Sequence, residues 1–330
     1  MIAHISLAKR SEGHLGGVPK FAWYLGRAIG NDFREYSWSG CPLSPEAKRV
    51  SEPQAAQLLG EWLWDSGRLA DCSKIVVDGF WSRGLPDKAP VVVVAHGTWR
   101  GLGNALHSQA ASQLGDIQER EYKRFPVVAV SEGAAQDLAD FYGVKATAVI
   151  ENGVDLDEFR PRENRILTDP LIAIYSSIHF PKGGDIIEGL AKWGGLPVRF
   201  EYLDAKAGEE AVKFRRGDLF VYPSRYDGNA YALLEAMASG LTVVASRTGL
   251  MRSAVSPRPG VVVDGFDTQT WIEAVRPVAL QLIVEEHNPG CMGTDFRSAT
   301  ETTYFHPREC AETRGDFRRF AEQWRAFLAS

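Results

Sequence analysis

The sequence lacks long basic runs and long apolar runs. Its 330 residues carry a net charge of −5, and no basic run is longer than Lys123-Arg124 or Arg318-Arg319. A nucleic-acid-binding protein usually presents a basic face or stripe, so direct binding to nucleic acid is not expected. No stretch approaches the roughly 18 uncharged apolar residues of a transmembrane helix. Residues 1–9 read as a first buried strand and not as a signal peptide. We therefore expect a cytoplasmic protein. Peripheral contact with the inner face of the membrane stays an open alternative.

Cysteine is scarce as well. The four cysteines form no C-x-x-C pair and no zinc-binding spacing; they are Cys41, Cys72, Cys291 and Cys310. Scattered cysteines in a chain of this length are typical of reduced thiols in a cytoplasm. The sequence also lacks the G-x-x-x-x-G-K-[ST] phosphate loop, the H-E-x-x-H zinc motif and the G-x-S-x-G nucleophile turn. We therefore do not expect a phosphate loop of that type, a zinc site of that type or a nucleophilic serine on such a turn.

Short apolar runs alternate with segments of helical periodicity along the whole chain. Runs such as 74–78 and 91–95 are rich in valine and isoleucine, which is typical of strands buried on both faces. The alternation predicts right-handed crossovers and parallel sheets. It stops at the polar stretch 160–165 and then restarts. We therefore predict an α/β protein with an N-terminal Rossmann-like domain over 1–160 and a second one over 161–305.

Two long helices are predicted from periodicity, one over 105–123 and one over 309–328. The second has four aromatic residues at helical spacing, namely Phe317, Phe320, Trp324 and Phe327. The segment 288–304 has little pattern and is expected to be a loop. Ligands of doubly wound sheets bind beyond the carboxyl ends of the strands, so we expect a site in the cleft between the two domains.

The stretch 222–240, YPSRYDGNAYALLEAMASG, is the most informative part of the sequence. A buried strand ends at Tyr222, a turn with Gly228 follows, and a helix begins. A helix start offers unpaired N–H groups and a positive dipole end, which together favour an anion. Asp227 before the helix and Glu235 two turns into it can meet different parts of one elongated ligand. A structural alternative, with Asp227 as a turn residue and Glu235 in a local network, stays open from these residues alone.

This stretch resembles the acidic-x7-acidic signature of retaining GT-B glycosyltransferases, specifically glycosyltransferase family four. Further segments match that family in order. They are the glycine-rich first loop at Gly16-Gly17, the strand–helix unit at 128–144, the NGVD…F.P turn at 152–161, and the KG pair at Lys182-Gly183. The resemblance covers nearly the whole chain and is densest from 127 to 246.

The resemblance implies transfer of a sugar from a nucleotide diphosphate sugar to an acceptor hydroxyl, with the anomeric configuration retained. The acceptor would be a glycan, a lipid-linked molecule or a small molecule, in glycan, cell-envelope polysaccharide or glycoconjugate synthesis. It implies two domains facing across a cleft, with the C-terminal helix of 306–330 bracing the N-terminal domain. No metal and no cofactor besides the donor are expected. Asp155-Leu156-Asp157 matches the metal-binding D-x-D pattern, but a solvated turn explains it better.

The resemblance also implies roles for single residues. His96, Lys182 and Asp227 are the expected catalytic residues, with Lys182 on the diphosphate, Asp227 on the sugar hydroxyls and Glu235 on the ribose. The expected donor-binding set is Gly16, Gly17, Lys182, Asp227, Gly228, Asn229, Ala230, Tyr231 and Glu235. Trp81 and Trp99 follow strand ends on the same side as His96. An aromatic face packs well on a sugar ring, so both are acceptor candidates, with a core position as the alternative.

The sequence departs from the family pattern at two places. Ser176-Ser177 stand where the family often has Gly-Arg, whose Arg helps to hold the diphosphate. The segment between Tyr202 and Asp218 is short where the family usually has a longer one that touches the nucleobase. Two alternatives to a glycosyltransferase stay open. One is a sugar-nucleotide-binding protein without turnover, which the missing Arg at Ser177 makes plausible, and the other is a GT-B phosphorylase or epimerase that uses a related cleft.

Overall fold

The computed structural model describes residues 1–12, 14, 16–44, 50–163, 167–252, 261–287 and 307–330. The chain forms two compact units. Unit 1 comprises Met1–Gly153, Asp227–Asn229 and Phe317–Ser330, and unit 2 comprises Val154–Tyr226 and Ala230–Asp316. The predicted boundaries lie at 160 and 305, whereas the chain divides after Gly153 and returns to unit 1 at Phe317. The predicted loop 288–304 lies outside the described residues.

Unit 1 is built on a six-stranded parallel sheet. Its strands are β1 (Ile2–Ser6), β2 (Phe33–Ser37), β3 (Lys74–Asp78), β4 (Val91–Ala95), β5 (Val127–Ala129) and β6 (Ala148–Val149), in the order β2-β1-β3-β4-β5-β6. Its helices include α1 (Gly17–Ile29), α2 (Glu52–Asp65), α3 (Trp99–Leu106), α4 (Gln109–Arg124) and α5 (Glu132–Tyr142). All five residues of β4 are buried, as expected for a strand covered by helices on both faces.

Unit 2 has a five-stranded parallel sheet. Its strands are β7 (Leu171–Tyr175), β8 (Val198–Tyr202), β9 (Leu219–Tyr222), β10 (Thr242–Ser246) and β11 (Val261–Val263), in the order β11-β10-β9-β7-β8. Its helices include α6 (Gly184–Trp193), α7 (Glu210–Phe214), α8 (Tyr231–Ala238), α9 (Thr268–His287) and α10 (Pro307–Arg314). Trp271 of α9 is fully buried in its core. The predicted class, two Rossmann-like parallel α/β units, is confirmed.

The helix predicted over 105–123 is confirmed in its larger part as α4, but its start is wrong, because residues 99–124 form the two helices α3 and α4. His107 ends α3 with a φ of 51°, in the left-handed region, and its N–H donates to the carbonyl of Asn104. The Ser108 hydroxyl then accepts the N–H of Ala111 at 3.3 Å and begins α4. Neither glycine nor proline marks this break. The Ser131 cap of α5 is confirmed, since its hydroxyl accepts the N–H of Ala134 at 3.0 Å.

The predicted single helix over 309–328 is also two helices, α10 and α11 (Phe317–Ala329). Gly315 separates them, and its carbonyl accepts the N–H of Val154 at 2.8 Å. In unit 1, α11 packs against α1, where Phe320 and Trp324 lie 5.9 and 5.6 Å from the ring of Phe21. Among the described residues, no helix is both long and apolar enough to span a membrane.

Candidate active site

The histidine expected in the site follows β4 in unit 1. Nε2 of His96 lies 2.7 Å from Oδ1 of Asp78, the last residue of β3. Oδ2 of the same carboxylate lies 3.0 Å from Nε2 of His4, in the middle of β1. Because β1, β3 and β4 are parallel neighbours, the three side chains lie on one face of the sheet. The His96 side chain is 20% exposed and the other two are buried, so the row runs from the core to the sheet's carboxyl end.

The two buried members of this row perturb each other's protonation. Burial raises the pKa of the Asp78 carboxyl, but the charge and hydrogen bonds of His4 and His96 outweigh burial and lower it to about 2. Burial lowers the pKa of His4, but the nearby Asp78 carboxylate, with a contribution from Glu35, outweighs burial and raises it. The structure therefore favours a charged His4–Asp78 pair inside unit 1.

We expect this pair to stabilise the protein within a defined pH window. A raised His4 pKa gives stability that is present below pH 6.5 and is lost as the pH rises through the folded value. A lowered Asp78 pKa gives stability that is present above pH 3.8 and is lost as the pH falls toward 2. The free energy of unfolding of the wild type, minus that of a His4→Gln, Asp78→Asn variant, should therefore peak between these limits. Denaturant titrations at a series of pH values measure it, and a flat difference would contradict a charged pair.

The glycine loop at the start of α1 has an open environment. Gly16 is the N-cap, with a φ of −61° that any residue can adopt. An added Cβ on Gly17 would meet no atom of the described residues within 4 Å, and one on Gly16 would meet Pro19 only at 3.7 Å. Among the described residues, neither backbone conformation nor packing accounts for the two glycines.

The segment Asp227–Asn229 is anchored on unit 1. The Gly228 carbonyl accepts the Ser131 hydroxyl at 2.6 Å, and the Asn229 side chain donates to the Val130 carbonyl at 2.9 Å. An added Cβ on Gly228 would lie 2.0 Å from the carbonyl oxygen of His96. Close packing against the end of β4 therefore accounts for Gly228. The donor contacts predicted for Gly228 and Asn229 stay predictions.

In unit 2, Lys182 reaches over the carboxyl end of the neighbouring strand. It ends the 3-10 helix Phe180–Lys182 that follows β7. Its Nζ lies 3.3 Å from the carbonyl oxygen of Tyr226 and 3.5 Å from the hydroxyl of Tyr222, the last residue of β9. Ser177, where an Arg was expected from the family, accepts the N–H of His179 at 3.2 Å instead. Lys182 is thus a cation held beside the loop that leads toward α8.

Arg225 lies in the loop that leads toward α8 and is not among the predicted site residues. Its guanidinium donates to both carboxylate oxygens of Asp185, at 2.8 and 2.7 Å, and to the carbonyl of Phe180 at 2.6 Å. It also lies 3.9 Å from the Phe180 ring centroid, and its backbone N–H donates to Pro181. A bidentate Arg–carboxylate pair is geometrically specific, so Arg225 fixes the turn that carries Lys182. Its place in the informative stretch 222–240 was the available signal.

Glu235 lies on α8 and is 1% exposed. Seven of the eight residues of α8 are buried, and the other six are apolar or aromatic. A carboxylate in such surroundings is costly unless polar groups meet it, which is why a buried Glu on this helix is a candidate for a binding role. Ala230 at the N-cap makes no side-chain hydrogen bond, whereas a Ser or Asp there would accept an N–H of the first turn.

The two tryptophans expected at the acceptor, Trp81 and Trp99, differ in their burial. Trp81 is 4% exposed, and its Nε1–H donates to Glu52 at 3.3 Å. This burial fits the alternative position in the core, and the acceptor contact of Trp81 stays a prediction. Trp99 begins α3, is half-buried, and stays an acceptor candidate.

The D-x-D segment is a turn. Asp155 accepts the N–H groups of Asp157 and Glu158 at 3.0 and 3.3 Å, which accounts for the first aspartate of the pattern. Within the described part of the chain, no group of three or more His, Cys, Asp or Glu side chains could hold a metal ion.

Two family models match separate segments of the chain. Residues 76–158 match the model of Glycosyltransferase Family 4, and residues 190–279 match that of Glycosyl transferases group 1. In both of these segments the chain resembles the GT4-like glycosyltransferases. The two matched segments of this GT4-like chain contain His96 after β4 and the α8 region with Asp227 and Glu235.

Curated relatives match this GT4-like chain over part of their length. The D-inositol 3-phosphate glycosyltransferase of Corynebacterium urealyticum is 34% identical over 91 residues, which are 27% of this chain and 22% of the relative. That of Xylanimonas cellulosilytica is 26% identical over 196 residues, covering 45% of this chain and 47% of the relative. The matches thus span from about a fifth to about half of these relatives.

Solved structures share the fold along the whole chain. Sucrose-phosphate synthase from Thermosynechococcus elongatus has a TM-score of 0.75 at 16% identity, covering 100% of this chain and 99% of the neighbour. Anabaena HepE, solved with UDP-glucose, has a TM-score of 0.66 at 15% identity and covers 99% of each chain. The fold of the GT4-like chain is therefore GT-B.

Proposed function

We propose that this protein transfers a sugar from a nucleotide diphosphate sugar to an acceptor hydroxyl, with retention of configuration and without a metal ion. The observation that carries the proposal is the position of Lys182, whose ammonium group lies 3.3 Å from the Tyr226 carbonyl, within the same unit as α8 and Glu235. A cation and a helix N-terminus in one unit suit a diphosphate. The buried Glu235 suits the ribose hydroxyls.

The chemistry places negative charge on the departing diphosphate. The bond between the anomeric carbon and the phosphate oxygen breaks, and the electron pair stays on the phosphate. Lys182 and the first N–H groups of α8 stabilise that charge, as preorganised donors do at sites of developing charge. The acceptor oxygen attacks from the side of the leaving group, and the leaving phosphate oxygen takes the acceptor proton. Asp227 holds the sugar hydroxyls.

Unit 1 contributes the remaining groups of the proposal. The open surroundings of Gly16 and Gly17 support close approach of a ligand to the backbone there. His96 hydrogen-bonds the donor sugar, and Trp99 packs on the acceptor. The curated relatives are named for an inositol phosphate acceptor, and HepE was solved with UDP-glucose. We therefore propose a hydroxylated acceptor and a hexose donor as the first substrates to assay. The proposed role is in glycan, cell-envelope polysaccharide or glycoconjugate synthesis.

We expect nucleotide sugars and their free diphosphates to raise the melting temperature in the presence of excess EDTA. A ligand that binds only the folded state stabilises it by mass action, and a metal-independent site keeps its ligand in chelator. The bound donor should then be consumed slowly by water, or faster with an acceptor, and the first NMR spectrum should show the product with the anomeric configuration of the donor.

Other outcomes decide against the proposal. Stabilisation without any turnover would indicate a binding protein, and consumption of inorganic phosphate would indicate a phosphorylase. Inversion at the transferred carbon would contradict retention. Activity that is lost in EDTA and restored by magnesium or manganese would contradict the metal-independent mechanism.

A further inference from the structure

Asp78 links a buried histidine to a partly exposed one. An ionised carboxylate only accepts hydrogen bonds, and its two oxygens lie 2.7 Å from Nε2 of His96 and 3.0 Å from Nε2 of His4. His96 must therefore carry a proton on Nε2 to bond with it. In neutral His96, the other nitrogen, Nδ1, is then a bare acceptor.

The carboxylate is kept ionised by its surroundings. Asp78 is 4% exposed, and an isolated charge at that depth would be strongly unfavourable. His4 faces it from β1, Glu35 lies opposite His4 on β2, and Lys9 follows β1. A protonated His4 therefore supplies the counter-charge that leaves Asp78 able to accept from His96.

The ring of His96 is held from a second direction. The rings of Phe21 and His96 form a T-shaped pair with centroids 4.9 Å apart, and Phe21 is itself packed against Phe320 and Trp324 of α11. A hydrogen bond at Nε2 and an aromatic contact on the ring together fix the position of an imidazole. A merely structural His4–Asp78 pair would need no partner at Oδ1, yet that oxygen lies 2.7 Å from Nε2 of His96, the partly exposed member of the row.

We propose that Asp78 is a positioning residue, which sets the tautomer and ring orientation of His96 while His4 balances its charge. The inference rests on the proposed function, because His96 acts on the donor sugar there. Asp78 touches no substrate and acts only through His96. Its loss therefore affects turnover only while His96 is present.

The first test is the tautomer of His96, which needs no turnover. Nitrogen-15 NMR of the whole protein at pH 8, assigned with His96→Gln, should show the proton of neutral His96 on Nε2. In Asp78→Asn the amide can donate to Nε2, and a substantial part of His96 should move to the Nδ1–H form. An unchanged tautomer in a folded variant would overturn the inference, whatever becomes of the proposed function.

The second test is kinetic. Asp78→Asn should lower kcat by about three- to tenfold with the donor KM within about twofold, since the donor's other contacts remain. In a His96→Gln background the same substitution should have no further effect, because residues that act as a unit are not additive. Glu121→Gln is the matched control. Glu121 is buried, accepts from Ser82 at 2.7 Å and pairs with Arg124, and its substitution should leave kcat unchanged.

The His96→Gln, Asp78→Asn double variant separates a positioning role of Asp78 from a purely structural role. An equal loss from Asp78→Asn with and without His96 would show that Asp78 acts on the fold, and would overturn the positioning role. If Asp78→Asn fails to fold, the same two measurements are made on His4→Gln, which removes the counter-charge of Asp78; an unchanged His96 tautomer and an unchanged kcat there would overturn the role given to His4 in this row. A His96→Gln protein with wild-type turnover would instead count against the proposed part of His96 in transfer.

Discussion

Lys182→Ala should lower turnover by at least about tenfold, or roughly 1.4 kcal/mol of barrier. Lys182 is proposed to meet a diphosphate whose charge grows as the sugar leaves, and an interaction that strengthens in the transition state shows mainly in kcat. A nearby cation, Arg225, is already held by both oxygens of Asp185. Steady-state kinetics with the donor found by the melting screen measures the loss.

Three further variants sharpen this prediction. Lys192→Ala removes an exposed lysine that pairs with Glu188 on α6, and it should leave turnover unchanged. Asp227→Ala should weaken binding of the nucleotide sugar and leave binding of the free nucleotide unchanged. Ser177→Arg added to Lys182→Ala should recover part of the loss, because it restores a cation at the position where the family often has one. Near-normal turnover of the Lys182→Ala enzyme would show that the phosphates of the donor bind elsewhere in the protein.

Glu235→Gln should weaken binding of the free nucleoside diphosphate by about 1.5–3 kcal/mol, the range for hydrogen bonds to a charged group. That is roughly a 10- to 150-fold increase in Kd. Glutamine keeps the shape of Glu235, which is 1% exposed, and replaces the charged carboxylate that is proposed to accept hydrogen bonds from two ribose hydroxyls. Calorimetry with the free diphosphate measures the change.

The control for Glu235 is Glu188→Gln, an exposed carboxylate on α6 that should leave the affinity unchanged. Thermal unfolding of each variant separates a folding defect from a binding defect. An unchanged affinity in a folded Glu235→Gln protein would give this residue a structural role only.

The strands were predictable because local composition determines them. β4 is four valines and an alanine, and such a run has no polar face, so it must be buried on both sides. The break at His107 was not predictable in this way, since a non-glycine residue rarely adopts the left-handed region and neither glycine nor proline marks the break. Gly315 was visible, but its role depends on Val154, which lies far away in sequence.

The candidate site divides in the same manner. Lys182 and Glu235 were selected from motifs that are contiguous in sequence. The link from His4 through Asp78 to His96 was missed because it depends on strand order, and β1 pairs with β3 although β2 separates them in the chain. A histidine inside an otherwise apolar first strand and an aspartate ending a buried strand were the available signals. The interior position of Trp81 likewise depends on Glu52 of α2.

The return of the chain to unit 1 through α11 has a consequence for biosynthesis. At about 5–20 residues per second, the roughly 160 residues between Gly153 and Phe317 take the ribosome on the order of ten seconds to add. Throughout that interval Phe21 lacks Phe320 and Trp324, which cover it in the finished protein. The nascent first unit therefore carries an uncovered apolar face on α1, which a chaperone can bind, until the last helix leaves the exit tunnel.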